Sequence, residues 1–392
     1  MIPYGKHYID EDDIQAVVET LKSNSLTQGP TINLFEEAVA KYVGVKYAVC
    51  VSSGTAALHL AYLAGGLNSG ESIVTAPITF VSTANAARFC GADVIFCDVD
   101  SSNINLDPNS LQKILVDNSN IRIISPVHFG GLPCDMEPIK NLADKYGALV
   151  VEDAAHAFGA SYKNGKKVGC CENSHMTIFS FHPVKSIAAG EGGMITTNDY
   201  STYLKLLKLR SHGINKIDES FINKIQAFDN NKINPWYYEM QELGFHYRNT
   251  DIQCSLALSQ LNKIDKFIQR RRQLALNYDE LFIKNKNINL IQTTGRLDSS
   301  NHIYVLRINF KEFGISRREF MNSLKSKGIG SQVHYMPVYK HPYYSHFGYC
   351  DIDYPNSETY YNEAISIPLY YDLKDEEQFM VYDVITDTLK QS

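Results

Sequence analysis

Residues 180–193 read SFHPVKSIAAGEGG, and a single lysine, Lys185, stands there between an aromatic segment holding Phe179 and Phe181 and the small apolar run Ile187, Ala188 and Ala189. A lysine on a solvated helix face keeps polar company, and this one does not. Apolar surroundings disfavour the ammonium form, lower the pKa and make the amine a nucleophile toward aldehydes. The stretch therefore suggests a Schiff-base lysine, although one lysine taken alone reads better as an ordinary side chain.

The pattern on either side supplies a scaffold. From about residue 45 to 200, short β-branched runs alternate with amphipathic helical segments. YAVCV (47–51) leads through SSGT into TAALHLAYLAGG, and SIVT (72–75) leads into a helix from about Thr79. VIFCDV, IRIISPV and ALVVED follow as further strands. This alternation predicts an α/β fold with a largely parallel sheet. In CDMEPIKNLADKYG, Met136, Ile139, Leu142, Ala143 and Tyr146 share one helical face, and Gly147 supplies the stop. A polar stretch from about 212 to 240 exceeds most connections in compact domains and reads as functional or mobile. After about 255 the pattern changes to a long helix through FIQRRRQLALNYDELF, a strand HIYVLRINF, a helix SRREFMNSLKSKG, a strand SQVHYMPVY and a final helix from about Asp375. The expected division is a large domain over 1–255 and a smaller α+β domain over 256–392.

Composition narrows the function classes. The 392 residues are 44% hydrophobic and 20% charged, enough for two cores, and the formal charge of -6 offers no footprint for nucleic acid. Arg270–Arg272, the one dense basic cluster, lies on a helical pattern and reads as a solvated face. Eight cysteines show neither a repeated CxxC spacing nor a neighbouring histidine pair, so reduced thiols and no metal site are expected. The first residues lack a basic-then-apolar leader, and no apolar run approaches the roughly 18 residues of a membrane span. A cytoplasmic protein without a membrane partner is the expectation.

Two further motifs give Lys185 its context. Ser52, Ser53, Gly54 and Thr55 follow a strand where a helix begins, and a helix N-terminus offers free N–H groups and partial positive charge to a phosphate. Asp153 closes the strand of VVEDAAHAFGA, with His156 three residues on. Ligands of open α/β sheets bind outside the carboxyl ends of strands, so this carboxylate is placed to meet a pyridinium nitrogen. Ser180 carries a hydroxyl suited to phosphate, and Gly190, Gly192 and Gly193 permit tight turns. Singly, each has an equal plain reading: an N-cap at Ser-Gly-Thr, a cap at Asp153, a satisfied core histidine at His156. Together, a phosphate site, a pyridinium carboxylate and a desolvated lysine are what pyridoxal 5'-phosphate (PLP) requires.

SSGTAALHLA, VEDAAHAFGA, FSFHPVK with GEGG, and GFHYRNTDIQ resemble the motifs of the DegT/StrS family of sugar-nucleotide aminotransferases, and the likeness runs from IPYGK into the C-terminal domain. The stretches LTQGP, APITFVSTANA, PWYYEMQELGF, SSNHIY and GIGSQVHYMPVY are most similar to the branch that makes UDP-4-amino-4,6-dideoxy-N-acetyl-beta-L-altrosamine for pseudaminic acid synthesis. The resemblance implies the fold of PLP-dependent transferases of type I, the aspartate aminotransferase fold, and a homodimer with shared active sites. It implies that Lys185 carries the Schiff base, that Asp153 meets the pyridine nitrogen, and that Gly54, Thr55 and Ser180 hold the phosphate. It adds Phe80 as the residue stacked on the ring, His156 as a further cofactor contact, and His246 at the phosphate of the neighbouring subunit. Tyr4, the stretch Ser25, Leu26, Thr27 and Gln28, and the stretch Asn301, His302, Ile303 and Tyr304 are implied to line the nucleotide-sugar site. His334 and Tyr335 are candidates there, with a structural strand as an equal reading. The implied reaction takes an amino group from L-glutamate to the 4-keto carbon of a UDP-linked 6-deoxy sugar.

Two departures stand out: His246 replaces the Asn of the family's GxNYR motif, and Ala188 and Ala189 replace two threonines. The rival readings are an aminotransferase for a bacillosamine, legionaminic acid or perosamine precursor, a PLP sugar dehydratase, and a non-catalytic protein of the same fold. By resemblance the dehydratases have histidine in place of the lysine, and a non-catalytic descendant is expected to lose Lys185 or Asp153.

Overall fold

The computed structural model describes residues 1–216, 220–349 and 353–390; positions 217–219 of the polar stretch and Cys350 lie outside the described residues. A seven-stranded sheet organises the first half of the chain. Its strands are β1 (Tyr47–Val51), β2 (Ser72–Thr75), β3 (Asp93–Phe96), β4 (Ile121–Ser125), β5 (Leu149–Asp153), β6 (Met176–Ser180) and β7 (Gly193–Thr197). Across the sheet they run in the order β1-β7-β6-β5-β4-β2-β3. Only β7 is reversed: it pairs antiparallel with β1 and β6, while every other neighbouring pair is parallel.

These strands are apolar on both faces because both faces are covered. Ile178 packs with α3 (Gly54–Ala64) on one side of the sheet. Its neighbour Phe179 packs on the other side with α2 (Pro30–Val43) and the helix Asp251–Leu261. Successive side chains of a strand point to opposite faces, so one strand feeds two cores. The helix Met136–Tyr146 buries Met136, Ile139 and Ala143 and ends on Gly147 at φ 72°, as the spacing predicts.

The later residues build a three-stranded antiparallel sheet from Ile288–Leu290, Tyr304–Ile308 and Ala364–Ile367. Its core includes Tyr278, Phe282, Phe320 and Ile385. The long helix Ile264–Phe282 serves both halves: Phe267 and Ile268 pack with the large sheet, Tyr278 and Phe282 with the small one. The N-terminal arm also joins the small sheet's core, where Ile2 is buried and exchanges backbone hydrogen bonds with Gly328 and Gly330 at 2.8 Å each.

Three expectations need correction. Residues 331–339 form no strand; they make one bridge, Gln332 to Ser366, and then a 3-10 turn at Val338–Lys340. The peptide between His334 and Tyr335 is cis. A strand would send those two side chains to opposite faces, whereas both line one cavity, and Pro337 has no N–H for a ladder. Arg270–Arg272 is not a solvated face. Arg271 is 3% exposed and donates to the carbonyls of His302 and Leu369, and Arg272 Nε donates to that of Ser299. The carbonyls of Ser299, His302 and Leu369, distant in sequence, take up charges that a helix pattern assigns to water. The helix expected from Thr79 begins at Ser82 and is α4 (Ser82–Phe89).

The stretch 212–240 carries short paired segments, Ile214–Asn215 with Glu239–Met240 and Phe228–Asp229 with Lys232–Ile233. It presents Ile225, Trp236 and Met240 to solvent. No helix among the described residues is long and apolar enough to cross a membrane.

Candidate active site

Because β1, β5 and β6 run in the same direction, their carboxyl ends reach one edge of the sheet. Ser52–Thr55, Asp153 and Ser180 stand at those three ends, and the stretch 180–193 is the turn from β6 into β7. Phe181 N–H donates to the Gly192 carbonyl and Ala189 N–H to the Phe181 carbonyl, each at 2.9 Å, which folds the segment back and carries Lys185 over the sheet edge. These groups line a cavity of about 630 Å³.

At one end of the cavity lies the N-terminus of α3. Ser53 caps it by accepting from Ala56 N–H at 3.1 Å, while the N–H groups of Gly54 and Thr55 have no acceptor within the helix. Two glycines make the site compact. A Cβ on Gly54 would sit 2.9 Å from Ser180 Cβ, and one on Gly193 would sit 2.3 Å from the Ser53 carbonyl oxygen. Only a glycine lets these chains approach so closely, which gathers the Ser180 hydroxyl and the helix N–H groups into an anion cradle.

In the middle of the cavity lies Asp153, 4% exposed. Thr83 Oγ1 donates to its Oδ2 at 2.7 Å and Ala155 N–H to its Oδ1 at 3.1 Å. Burial raises the carboxyl pKa, opposed by the Thr83 and Ala155 hydrogen bonds and the charge of Lys185. Burial lowers the Lys185 amine to about 8, with Asp153 pulling the other way. This is the near-neutral amine expected from its apolar neighbours. Lys185 Nζ lies 3.5 Å from His302 Nε2.

Around the lysine stand His156, His302 and His334, all kept neutral by burial and by the nearby ammonium, His334 at about 4. His156 Nε2 pairs with the Tyr335 hydroxyl at 3.0 Å, and His334 Nδ1 with Ser366 Oγ at 2.8 Å. The buried Nδ1 atoms of His156 and His302 have no hydrogen-bond partner among the described residues. Phe80 is 56% exposed at the cavity wall, its ring 6.2 Å from that of Tyr335, with a face free for a planar ligand. Cradle, carboxylate, amine, open aromatic face and orphaned imidazole nitrogens together match a phosphorylated pyridine aldehyde.

Gly54, Thr55, Phe80, Asp153, His156, Ser180, Lys185, Tyr4, His302, His334 and Tyr335 all line this cavity. Others sit elsewhere. Asn301 is buried and donates to the carbonyls of Arg296 and Ser299; Ile303 is in an apolar cluster; the Tyr304 hydroxyl donates to Asp279 at 2.7 Å. Ser25–Gln28 packs against Thr250 and Asp251, with Ser25 on a separate surface groove. His246 is not among the cavity's lining residues; it bridges Ser211, and its ring lies 5.4 Å from that of His212.

Sequence reasoning missed Thr83, which the Thr79-x-x-x-Thr83 spacing at the start of α4 signals. It also missed the clasp behind His302, where Ser300 Oγ donates to the His156 carbonyl at 2.6 Å and His302 N–H to that of Gly130 at 2.9 Å. No local signal marks contacts between segments so far apart.

Residues 7–386 match the family model of the DegT/DnrJ/EryC1/StrS aminotransferases. The chain is 38% identical to a Campylobacter jejuni UDP-4-amino-4,6-dideoxy-N-acetyl-beta-L-altrosamine transaminase over 392 residues, covering 100% of this chain and 98% of that relative. It is also 38% identical to the Bacillus subtilis spore coat polysaccharide biosynthesis protein SpsC over 394 residues, covering 99% and 97%. Among solved structures, Helicobacter pylori PseC, an aminotransferase of pseudaminic acid biosynthesis, superposes with a TM-score of 0.90 at 31% identity over the whole of both chains. The Streptococcus pneumoniae sugar aminotransferase Spr1654 is similar in both its PMP and PLP forms, with TM-scores of 0.89 and 0.88, each at 100% coverage of this chain and at least 99% of the other, and 26% and 25% identity.

Proposed function

The chain belongs to the PLP-dependent DegT/DnrJ/EryC1/StrS aminotransferase family, and from that premise we propose that it transfers the amino group of L-glutamate to the 4-keto carbon of UDP-4-keto-6-deoxy-N-acetyl-beta-L-altrosamine. The product is UDP-4-amino-4,6-dideoxy-N-acetyl-beta-L-altrosamine. The observation that carries the reading is one cavity holding Lys185, Asp153 and the Gly54–Ser180 cradle, in a chain 38% identical to a transaminase named for that product.

The residues divide the work. The Gly54 and Thr55 N–H groups of α3 and the Ser180 hydroxyl would hold the phosphate, Asp153 would accept from the ring nitrogen, and Phe80 would cover a ring face. When bound, PLP supplies an electron sink for the bond broken at the donor's α-carbon. Lys185 anchors the cofactor. With a pKa of about 8 its free amine takes the proton from the donor's α-carbon and later delivers one to sugar C4. The neutral imidazoles of His302 and His334 face the same space and offer hydrogen bonds without adding charge. A homodimer completes the site, His246 of each subunit serving the phosphate of the other; its position away from its own chain's cavity supports this. The free buried thiols among the described residues suit a cytoplasmic setting.

The equal likeness to SpsC favours a second reading, another 4-keto sugar nucleotide as acceptor. A panel separates the two: purified protein with PLP, L-glutamate and several UDP- and GDP-linked 4-keto sugars, scored by the mass of the amino-sugar product. The altrosamine-type substrate should give the highest kcat/KM. A higher value for any other sugar overturns the substrate assignment and leaves the aminotransferase standing.

A further inference from the structure

Asp153 is 4% exposed where it lines the cavity, and how its two oxygens are held decides whether it works as a fixed carboxylate. Oδ1 receives Ala155 N–H at 3.1 Å, and Oδ2 receives Thr83 Oγ1 at 2.7 Å. One donor on each oxygen fixes the plane of the group and leaves lone pairs free for a further donor. Of the two, only Thr83 can be removed by substitution. It is fully buried, and the Tyr62 hydroxyl stands 3.2 Å from its carbonyl and 2.8 Å from Ser125 Oγ.

A threonine hydroxyl has a single proton, and Thr83 has two competitors for it. The Phe80 carbonyl stands at 3.3 Å and Asp153 Oδ2 at 2.7 Å. The shorter bond, to a charged acceptor, takes the proton. That leaves Thr83 Oγ1 as an acceptor for Thr79, whose hydroxyl is 2.9 Å away. The result is a directed chain, Thr79 to Thr83 to Asp153, in which every hydroxyl proton points toward the carboxylate. Both threonines are buried, at 3% and 0% exposure.

We propose that Thr83, oriented by Thr79, is a positioning residue that holds the Asp153 carboxylate for the ring nitrogen of the cofactor. The inference rests on the reading of Asp153 as the ring-nitrogen partner. Burial works against the ionised form of Asp153, and the Thr83 hydroxyl is the strongest of the groups opposing it, ahead of Ala155, Lys185 and His128.

The test measures PLP dissociation from the full chain, without sugar, for wild type, Thr83→Val, Thr83→Ser, Asp153→Asn and the Thr83→Val/Asp153→Asn double variant. Apo melting temperatures are measured alongside to confirm folding. Valine keeps the shape of threonine and deletes the hydroxyl. A hydrogen bond to a charged group predicts PLP binding about tenfold or more weaker in Thr83→Val. Thr83→Ser should stay within about twofold of wild type, because the hydroxyl is restored. In the Asp153→Asn background the same Thr83→Val change should cost less than about threefold, since no carboxylate remains to be held. Equal costs in both backgrounds, or undiminished retention in Thr83→Val, would refute the inference and leave Thr83 as packing. Failure of the underlying reading shows separately, as an Asp153→Asn protein that holds PLP as tightly as wild type.

Discussion

Lys185 should titrate near pH 8 in the cofactor-free protein. Burial at the cavity wall lowers its amine from the ordinary 10.5 to about 8, and Asp153 keeps it from falling further. At pH 7 an amine of pKa 8 is free in about one molecule in ten, while one of pKa 10.5 is free in about one in three thousand. The structure thus predicts roughly 300-fold more of the reactive form than an exposed lysine provides. The assay is trace acylation from about pH 6 to about pH 10, read by mass spectrometry of the peptide holding Lys185, with the exposed Lys113 as internal reference. Lys185 labelling should rise with pH and level off above about 8. Replacing Asp153 by Asn removes the opposing charge, so the midpoint should move lower still. A Lys185 midpoint at the ordinary 10.5, or one that rises in Asp153→Asn, would refute the burial argument.

Gly193→Ala should lose PLP and stability together, because its Cβ would lie 2.3 Å from the Ser53 carbonyl, a backbone atom that cannot swing aside. Overpacking of this kind costs about 1–3 kcal/mol, to be read as a lowered melting temperature and faster PLP release; unchanged values for both would show that β1 and β7 are not closed this tightly at the cradle. Mixing a Lys185→Ala subunit with a His246→Leu subunit should restore activity, since cross-subunit service gathers both lesions in one site and leaves the other whole. Heterodimers verified by mass that remain inactive, beside weakly active His246→Leu homodimers, would assign His246 to its own chain.

What the sequence disclosed follows from how local each signal is. YAVCV and SIVT appear as β1 and β2 at the residues read, since strands apolar on both faces carry their burial in their own composition. Lys185, Asp153 and the Ser-Gly-Thr stretch come together because parallel strands place their carboxyl ends on one edge, a consequence of topology that alternation alone implies. The other wall of the cavity was less legible. His302 stands 3.5 Å from Lys185 although 117 positions separate them, and its placement depends on Gly130, Ser300 and Arg271, each in a different segment. Arg271 follows the same rule: its helical neighbours say surface, and only the distant His302 and Leu369 segments supply the carbonyls that bury it. SQVHYMPVY looked like a strand from its β-branched and aromatic residues. Packing of His334 against Tyr4 and pairing of Tyr335 with His156 turn it into a cavity wall instead.

The central claim is that this cavity moves an amino group from an amino acid to a sugar nucleotide through Lys185. The most direct test supplies PLP, L-glutamate labelled with 15N at the α-amino group and UDP-4-keto-6-deoxy-N-acetyl-beta-L-altrosamine to wild type and to Lys185→Ala. The amino-sugar product of the wild type should carry the heavy nitrogen, with 2-oxoglutarate formed in equal amount and nothing formed by Lys185→Ala. Unlabelled product, absence of amino-sugar product with every sugar of the panel, or undiminished turnover by Lys185→Ala would contradict it.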